Sequence, residues 1–130
     1  MMIATKGRNA LKVMLDLAQQ PVGTNIPLAD IAERVRESQK YLEATVAQLS
    51  AAGLIISARG KLGGYRLARK PEEYTVAEII TAAEGSLAPV SCLDGGCENA
   101  EGCLTLPLWR ELDEVIMNFL NSKSLADLLK

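Results

Sequence analysis

The chain has no histidine among its 130 residues. That removes the commonest general base and the commonest metal-binding nitrogen, and it weighs against most hydrolase chemistry. It also lacks a phosphate loop and any recognisable pairing of nucleophile with base, so no enzyme is expected. Long hydrophobic runs are missing too. Although 48% of the residues are hydrophobic, no stretch approaches the ~18 residues of a membrane span. Charges interrupt every apolar cluster of MMIATKGRNALKVMLDLAQQ, so neither a signal peptide nor a membrane partner is expected, and the expected compartment is cytoplasmic. Cysteine is absent outside one short segment, Cys92 to Cys103, which holds three. An odd number in such a chain argues against a disulfide framework.

The overall charge of −2 conceals a strong asymmetry. Residues 1–70 carry eleven Lys and Arg against five Asp and Glu, and residues 71–130 carry three against eleven. Such a split suits a basic surface for a polyanion and a separate acidic part with another task.

The apolar pattern reads as mainly α with a small β-hairpin. Leu11, Met14, Leu15 and Ala18 lie on one helical face, which predicts a helix over about residues 6–20 with Thr5 as N-cap and Pro21 and Gly23 beyond its end. Leu28, Ile31, Ala32 and Val35 predict a second helix entered through Pro27. Ser38 caps a third, with Leu42, Val46 and Leu49 inward and Gly53 as its stop. Two short helices joined by a tight turn make a helix-turn-helix. LIISARGKLGGYRLARK follows as a hairpin, with strands at Leu54–Ala58 and Tyr65–Ala68. Placed there, it is the wing. Thr75 and Glu78 form a capping box for a fourth helix from Val76 to about Ala83. Residues 85–104 are a glycine- and cysteine-rich loop without periodicity. A long helix begins near Pro107, with the apolar stripe Leu108, Leu112, Val115, Ile116, Phe119 and Leu120. A last short helix starts at Ser124 with Asp127 as box partner. The expected division is a winged helix-turn-helix over 1–84, a cysteine loop over 85–105, and a long dimerisation helix with the C-terminal helix over 106–130. The stripe is too apolar to face water, and pairing with its own copy is the natural solution.

A recognition helix presents its N-terminal residues to base edges in the major groove. Here those residues are Ser38, Gln39, Lys40, Tyr41 and Glu43. Gln39 suits adenine, Lys40 guanine or phosphate, and Glu43 either a cytosine amino group or the rejection of wrong sites. Residues 54–70 carry five basic residues and no acid. In the wing, Gly60, Gly63 and Gly64 allow close approach of the backbone, Arg59 suits a narrow minor groove, and Lys61 and Arg66 suit phosphate. Lys6 and Arg8 add cations at the start of the first helix. Double-stranded DNA is the expected partner.

Cys92, Cys97 and Cys103 form a C-x4-C-x5-C array. Thiolates ligate zinc or the iron of iron–sulfur clusters, or undergo redox chemistry themselves. A structural zinc prefers four ligands, so zinc would need Asp94, Glu98 or Glu101 as the fourth. Two rival readings stand beside a cluster. One is a regulator whose three thiols sense oxidants; the other is a module that docks on a metabolic enzyme and reports its state.

In order along the chain, TKGRNALKVMLDLA, LADIAER leading to SQKYLE, GLIISARGKLGGYRLAR, AEIITAAEG and CLTLPLW resemble the Rrf2 superfamily of winged helix-turn-helix regulators. Within it the chain is most similar to the iron–sulfur cluster regulators of the IscR type. The resemblance covers nearly the whole chain. It implies a homodimer crossed through the helix at 107–121 and a repressor of iron–sulfur assembly, iron or sulfur metabolism genes. It further implies an iron–sulfur cluster held by Cys92, Cys97 and Cys103, with 2Fe-2S favoured over 4Fe-4S. The chain departs from the pattern at four places. Asn9 stands where an aromatic is usual, and the first two cysteines are one residue closer than usual. Leu106 stands where IscR-type members carry a histidine ligand, and Arg8 where nitric-oxide-sensing relatives carry an acid. The fourth ligand is thus a carboxylate, or an oxygen from solvent or the other subunit.

Overall fold

The computed structural model describes residues 3–95 and 101–130. Six helices and one two-stranded sheet are placed among them: α1 Thr5–Ala18, α2 Leu28–Val35, α3 Gln39–Ala51, β1 Ile55–Ala58, β2 Gly64–Leu67, α4 Val76–Glu84, α5 Cys92–Gly95 and α6 Leu106–Asn121. The expected fold class, mainly helical with one hairpin, is the observed one.

α1 is the centre of the domain and packs on α2, α3 and α4. Its buried hydrophobic residues are Ala10, Val13, Met14 and Leu17, whereas Leu11, Leu15 and Ala18 are half-buried. The expected face is thus only one flank of a wider buried arc, because a helix covered on several sides shows little amphipathic contrast. The start also differs from expectation. Ala4, not Thr5, is the N-cap, and no side chain of its own caps it. The Glu84 carboxylate at the end of α4 instead accepts from the Ala4 amide at 2.6 Å. A carboxylate from another helix meets the positive end of α1. Asp16, buried in α1, accepts two bonds from the Arg34 guanidinium at 2.7 and 3.0 Å, which ties α2 to α1. Asn9 is buried as well, and its Nδ2 lacks a partner.

The tight turn of the helix-turn-helix is made by Arg36, which takes φ 61°. Ser38 then caps α3, its Oγ accepting from the Tyr41 amide at 3.1 Å. Leu42, Val46 and Leu49 face the core as expected, joined by Thr45. In the hairpin, Ile55 lies opposite Leu67 and Ala58 opposite Gly64.

Tyr74 locks the base of that hairpin. Its ring is fully buried, its hydroxyl donates to Leu54 O at 2.7 Å, and it accepts from the Ala68 and Arg69 amides at 2.9 Å each. The Arg69 guanidinium lies over the ring, 4.3 Å from its centroid, and pairs with Glu78. Tyr74→Phe keeps the ring but leaves these buried groups without their partner. It is expected to destabilise the domain by about 1–3 kcal/mol, read as a lower urea midpoint with unchanged slope. No change in midpoint would show that water replaces the hydroxyl.

α4 has the expected capping box, with Thr75 Oγ1 accepting from the Glu78 amide at 3.1 Å and Glu78 accepting from the Thr75 amide at 3.0 Å. α6 packs one face on α4, and the chain just beyond its end is bonded to the domain. There Val76 N donates to Lys123 O at 2.9 Å, and Leu125 N donates to Tyr74 O at 3.0 Å. Ser124 and Asp127 form their reciprocal pair, but the turn that follows is the 3-10 segment Ala126–Leu129 rather than an α-helix. Leu125 is fully buried in the main core, so this segment is an anchor.

Candidate nucleic-acid interface and cysteine site

Ser38, Gln39, Lys40, Tyr41 and Glu43 are all exposed at the N-terminal end of α3. Lys6 and Arg8 are exposed on the first turn of α1. Lys6 and Lys40, far apart in sequence, border one groove of about 490 Å³ with Ser38, Tyr41, Ala44 and Gln48. Arg8 is partly engaged, with Nη1 on Ile3 O at 3.1 Å and Nη2 on Thr5 Oγ1 at 3.3 Å. The α3 face and the α1 start therefore make one basic rim.

At the wing, Arg59, Gly60 and Lys61 are exposed. Gly63 and Gly64 have a reason internal to the fold. A Cβ on Gly63 would lie 2.4 Å from Ala58 O, and one on Gly64 2.4 Å from Ile26 O. These two glycines let the hairpin close and let it seat on the loop before α2. Arg66 Nη1 donates to Asn25 Oδ1 at 2.8 Å. Arg69, also a candidate for phosphate, is taken up by Glu78 and by Glu73 O.

Cys92 is half-buried at the start of α5, which touches α6. Cys103 is half-buried just ahead of α6, its Sγ 3.4 Å from Thr105 Oγ1. The Thr105 hydroxyl, helped by the Thr105 and Leu106 amides, holds the Cys103 thiol below its ordinary range. This favours the thiolate, the form that ligates iron. Cys97 and Glu98 lie outside the described residues. Among the described residues, no three His, Cys, Asp or Glu side chains gather at metal-binding distance. Asp94 accepts from Ser86 Oγ, and Glu101 is exposed. Leu106, whose side chain cannot ligate, is buried. The donors that are described suit an iron–sulfur cluster in their chemistry: two thiols near the starts of two touching helices, one with its pKa lowered by Thr105 and Leu106.

The family model Rrf2, an iron-dependent transcriptional regulator, matches residues 3–130. The chain belongs to the Rrf2 family. It is 42% identical to the HTH-type transcriptional regulator IscR of Aliivibrio salmonicida over 130 residues, 99% of this chain and 77% of that one. It is 43% identical to the IscR of Xenorhabdus nematophila, covering 100% and 80%. Among solved structures, T. potens IscR shares 37% identity with a TM-score of 0.79, covering 99% of this chain and 86% of that one. CymR, the global cysteine regulator of B. subtilis, shares 35% with a TM-score of 0.81, covering 98% and 95%. The protein is thus an IscR-like, DNA-binding transcriptional regulator of the Rrf2 family and not an enzyme. Among the described residues, no helix is long and apolar enough to cross a membrane.

For this Rrf2-family chain, α6 divides the expected stripe between two faces. Leu108, Leu112, Val115 and Phe119 are 55%, 40%, 64% and 59% exposed. They recur at i, i+4, i+7 and i+11 and form a single outward face. Leu120, with Met117, instead packs on Val76, Ile80 and Leu87 of the same chain, and Ile116 is half-buried between the two faces. Two functional positions escaped the sequence reading. Tyr74 carries no motif, since its partners are backbone atoms. Asn25 sits in a turn, where asparagine is ordinary.

Proposed function

We propose that the protein is a homodimeric repressor whose operator binding is set by an iron–sulfur cluster in the 85–105 segment. Within each winged domain, residues 1–84, α3 enters the major groove and reads bases through Gln39, Lys40 and Glu43, with Ser38 and Tyr41 at the groove edge. Lys6, Arg8 and Lys61 neutralise phosphates, and Arg59 reaches the adjacent minor groove beside Gly60. The 106–130 segment pairs two copies. Two-fold symmetry then sets half-sites about one turn apart, roughly 34 Å or a multiple of it.

One observation carries the reading. The Cys103 thiol lies 3.4 Å from the Thr105 hydroxyl at the root of α6, which lowers its pKa; α6 also bears the exposed apolar face, and the segment just beyond it is bonded to Tyr74 at the base of the wing. When bound, the cluster supplies a labile inorganic group whose gain or loss reports iron, sulfur or oxidant status. Cys92, Cys97 and Cys103 hold it, with a fourth ligand other than histidine. A 2Fe-2S cluster is favoured, since the relatives are IscR proteins. The residues of α6 and of the segment after it transmit the difference, because α6 bears the dimer face and that segment is bonded to Tyr74 at the wing base. Target genes of iron–sulfur assembly, or of iron or sulfur metabolism, follow from the same kinship.

A second reading rests on the same poised thiol. A thiolate at Cys103 is also the form that oxidants attack, and a CymR structure similar to this chain is of an oxidised form. Anaerobic purification with an absorbance spectrum and an iron and sulfide assay separates the two, since thiols alone are colourless.

The wing contact has its own test. Arg59→Ala is expected to weaken specific binding by about 1–3 kcal/mol. Lys61→Ala should weaken all sequences alike and lower the salt slope by about one unit. Equal binding by the Arg59 variant would remove the wing from sequence readout.

A further inference from the structure

We propose that Asn25 is the positioning residue of the wing: one side-chain amide fixes the hairpin tip to the helix-turn-helix, so that Arg59 meets DNA at a set angle to α3. This rests on the reading of the wing as a DNA contact.

Asn25 lies in the loop before α2, half-buried, and reaches the wing with both ends of its amide. Nδ2 donates to Leu62 O at the tip, 3.2 Å away, and Oδ1 accepts from Arg66 Nη1 on β2 at 2.8 Å. The next residue continues the seam. Ile26 N donates to Tyr65 O and Tyr65 N to Ile26 O, each at 2.9 Å. That seam is close enough that no side chain fits on Gly64. The backbone seam holds β2 at Tyr65 but leaves the tip, residues 59–63, cantilevered beyond it. A two-stranded hairpin is marginally stable by itself. Among the described residues, Asn25 supplies the one side-chain hydrogen bond given to a tip carbonyl from outside the hairpin. The same amide occupies Arg66, which therefore acts through the wing's position and not chiefly as a phosphate contact.

Two measurements decide this. The first needs no DNA. In the native chain the Gly63 amide donates to Gly60 O at 3.0 Å, closing the tip. Asn25→Ala should raise hydrogen exchange at Gly63 about tenfold or more, with the α3 amides unchanged. The second is a double-mutant cycle on a duplex selected from a random library by the native protein. Arg59→Ala should cost about tenfold in the native chain but no more than about twofold in the Asn25→Ala chain, whereas Gln39→Ala should cost the same in both. An Arg59 penalty that survives Asn25→Ala, or unchanged Gly63 exchange, overturns the proposal and leaves the wing reading standing. An Arg59 change that costs nothing in the native chain overturns the wing reading itself, and Asn25's role toward DNA falls with it.

Discussion

Replacing Cys92, Cys97 or Cys103 by alanine, one at a time, is expected to leave the anaerobically purified protein colourless where the native chain absorbs visible light. Each replacement removes a thiolate, and a cluster held by three cysteines and a weaker fourth ligand does not survive the loss of a strong one. The fold should persist, because neither Cys92 nor Cys103 belongs to the buried clusters around α1 and α4. Circular dichroism and melting temperature of the variants check that point. Cluster-free variants should bind a cluster-dependent operator about tenfold worse or more, a coupling of about 1.4 kcal/mol, within the usual range for linked sites. Leu106 is buried and Asp94 accepts from Ser86, whereas Glu101 is exposed. A native protein that is colourless with stoichiometric zinc would make the site structural and end the sensing role. A colourless, metal-free protein whose operator binding responds to peroxide would establish the thiol reading instead.

Leu112→Glu combined with Val115→Glu should convert the proposed dimer to monomer. Both side chains lie on the outward face of α6, between Leu108 and Phe119, and neither belongs to the chain's own buried clusters. Burying one such side chain is worth about 1.5–3 kcal/mol, so losing two and setting charges in their place should raise the dissociation constant about a hundredfold or more. Light scattering at micromolar concentration reads the result, and the monomer should keep its melting transition because the opposite face of α6 is untouched. Met117→Glu is the contrast. It strikes the face against Val76, Ile80 and Leu87 and should lower stability first. A native chain that is monomeric at that concentration would end the dimer proposal and leave the outward face for another partner.

Much of this was legible in the residues because the decisive signals are local. Ser38 caps α3 through its own side chain three residues upstream of Tyr41, and Thr75 and Glu78 cap α4 in the same way. Local chemistry of this kind is written in spacing. Thr5 failed as a cap for the opposite reason: Glu84, at the far end of another helix, occupies that role. The stripe on α6 read as continuous because sequence spacing shows apolar residues without showing what lies against each one. Only the placement of α4 assigned Leu120 inward and Leu112 outward.

By itself the sequence determined the fold class, the order of the elements, the excess of basic residues in the first 70 positions and the clustering of all three cysteines in one segment. Those follow from periodicity, turn chemistry and composition, each of which acts over a few residues. Tertiary structure alone decided that Tyr74 clasps the hairpin base, that Asn25 reaches the wing tip, and that Lys6 and Lys40 border one groove. Each of these depends on a hydroxyl, an amide or a backbone group meeting a partner brought close by the packing of other elements. No spacing along the chain encodes that, because the distance is closed by burial of the core and not by the local backbone.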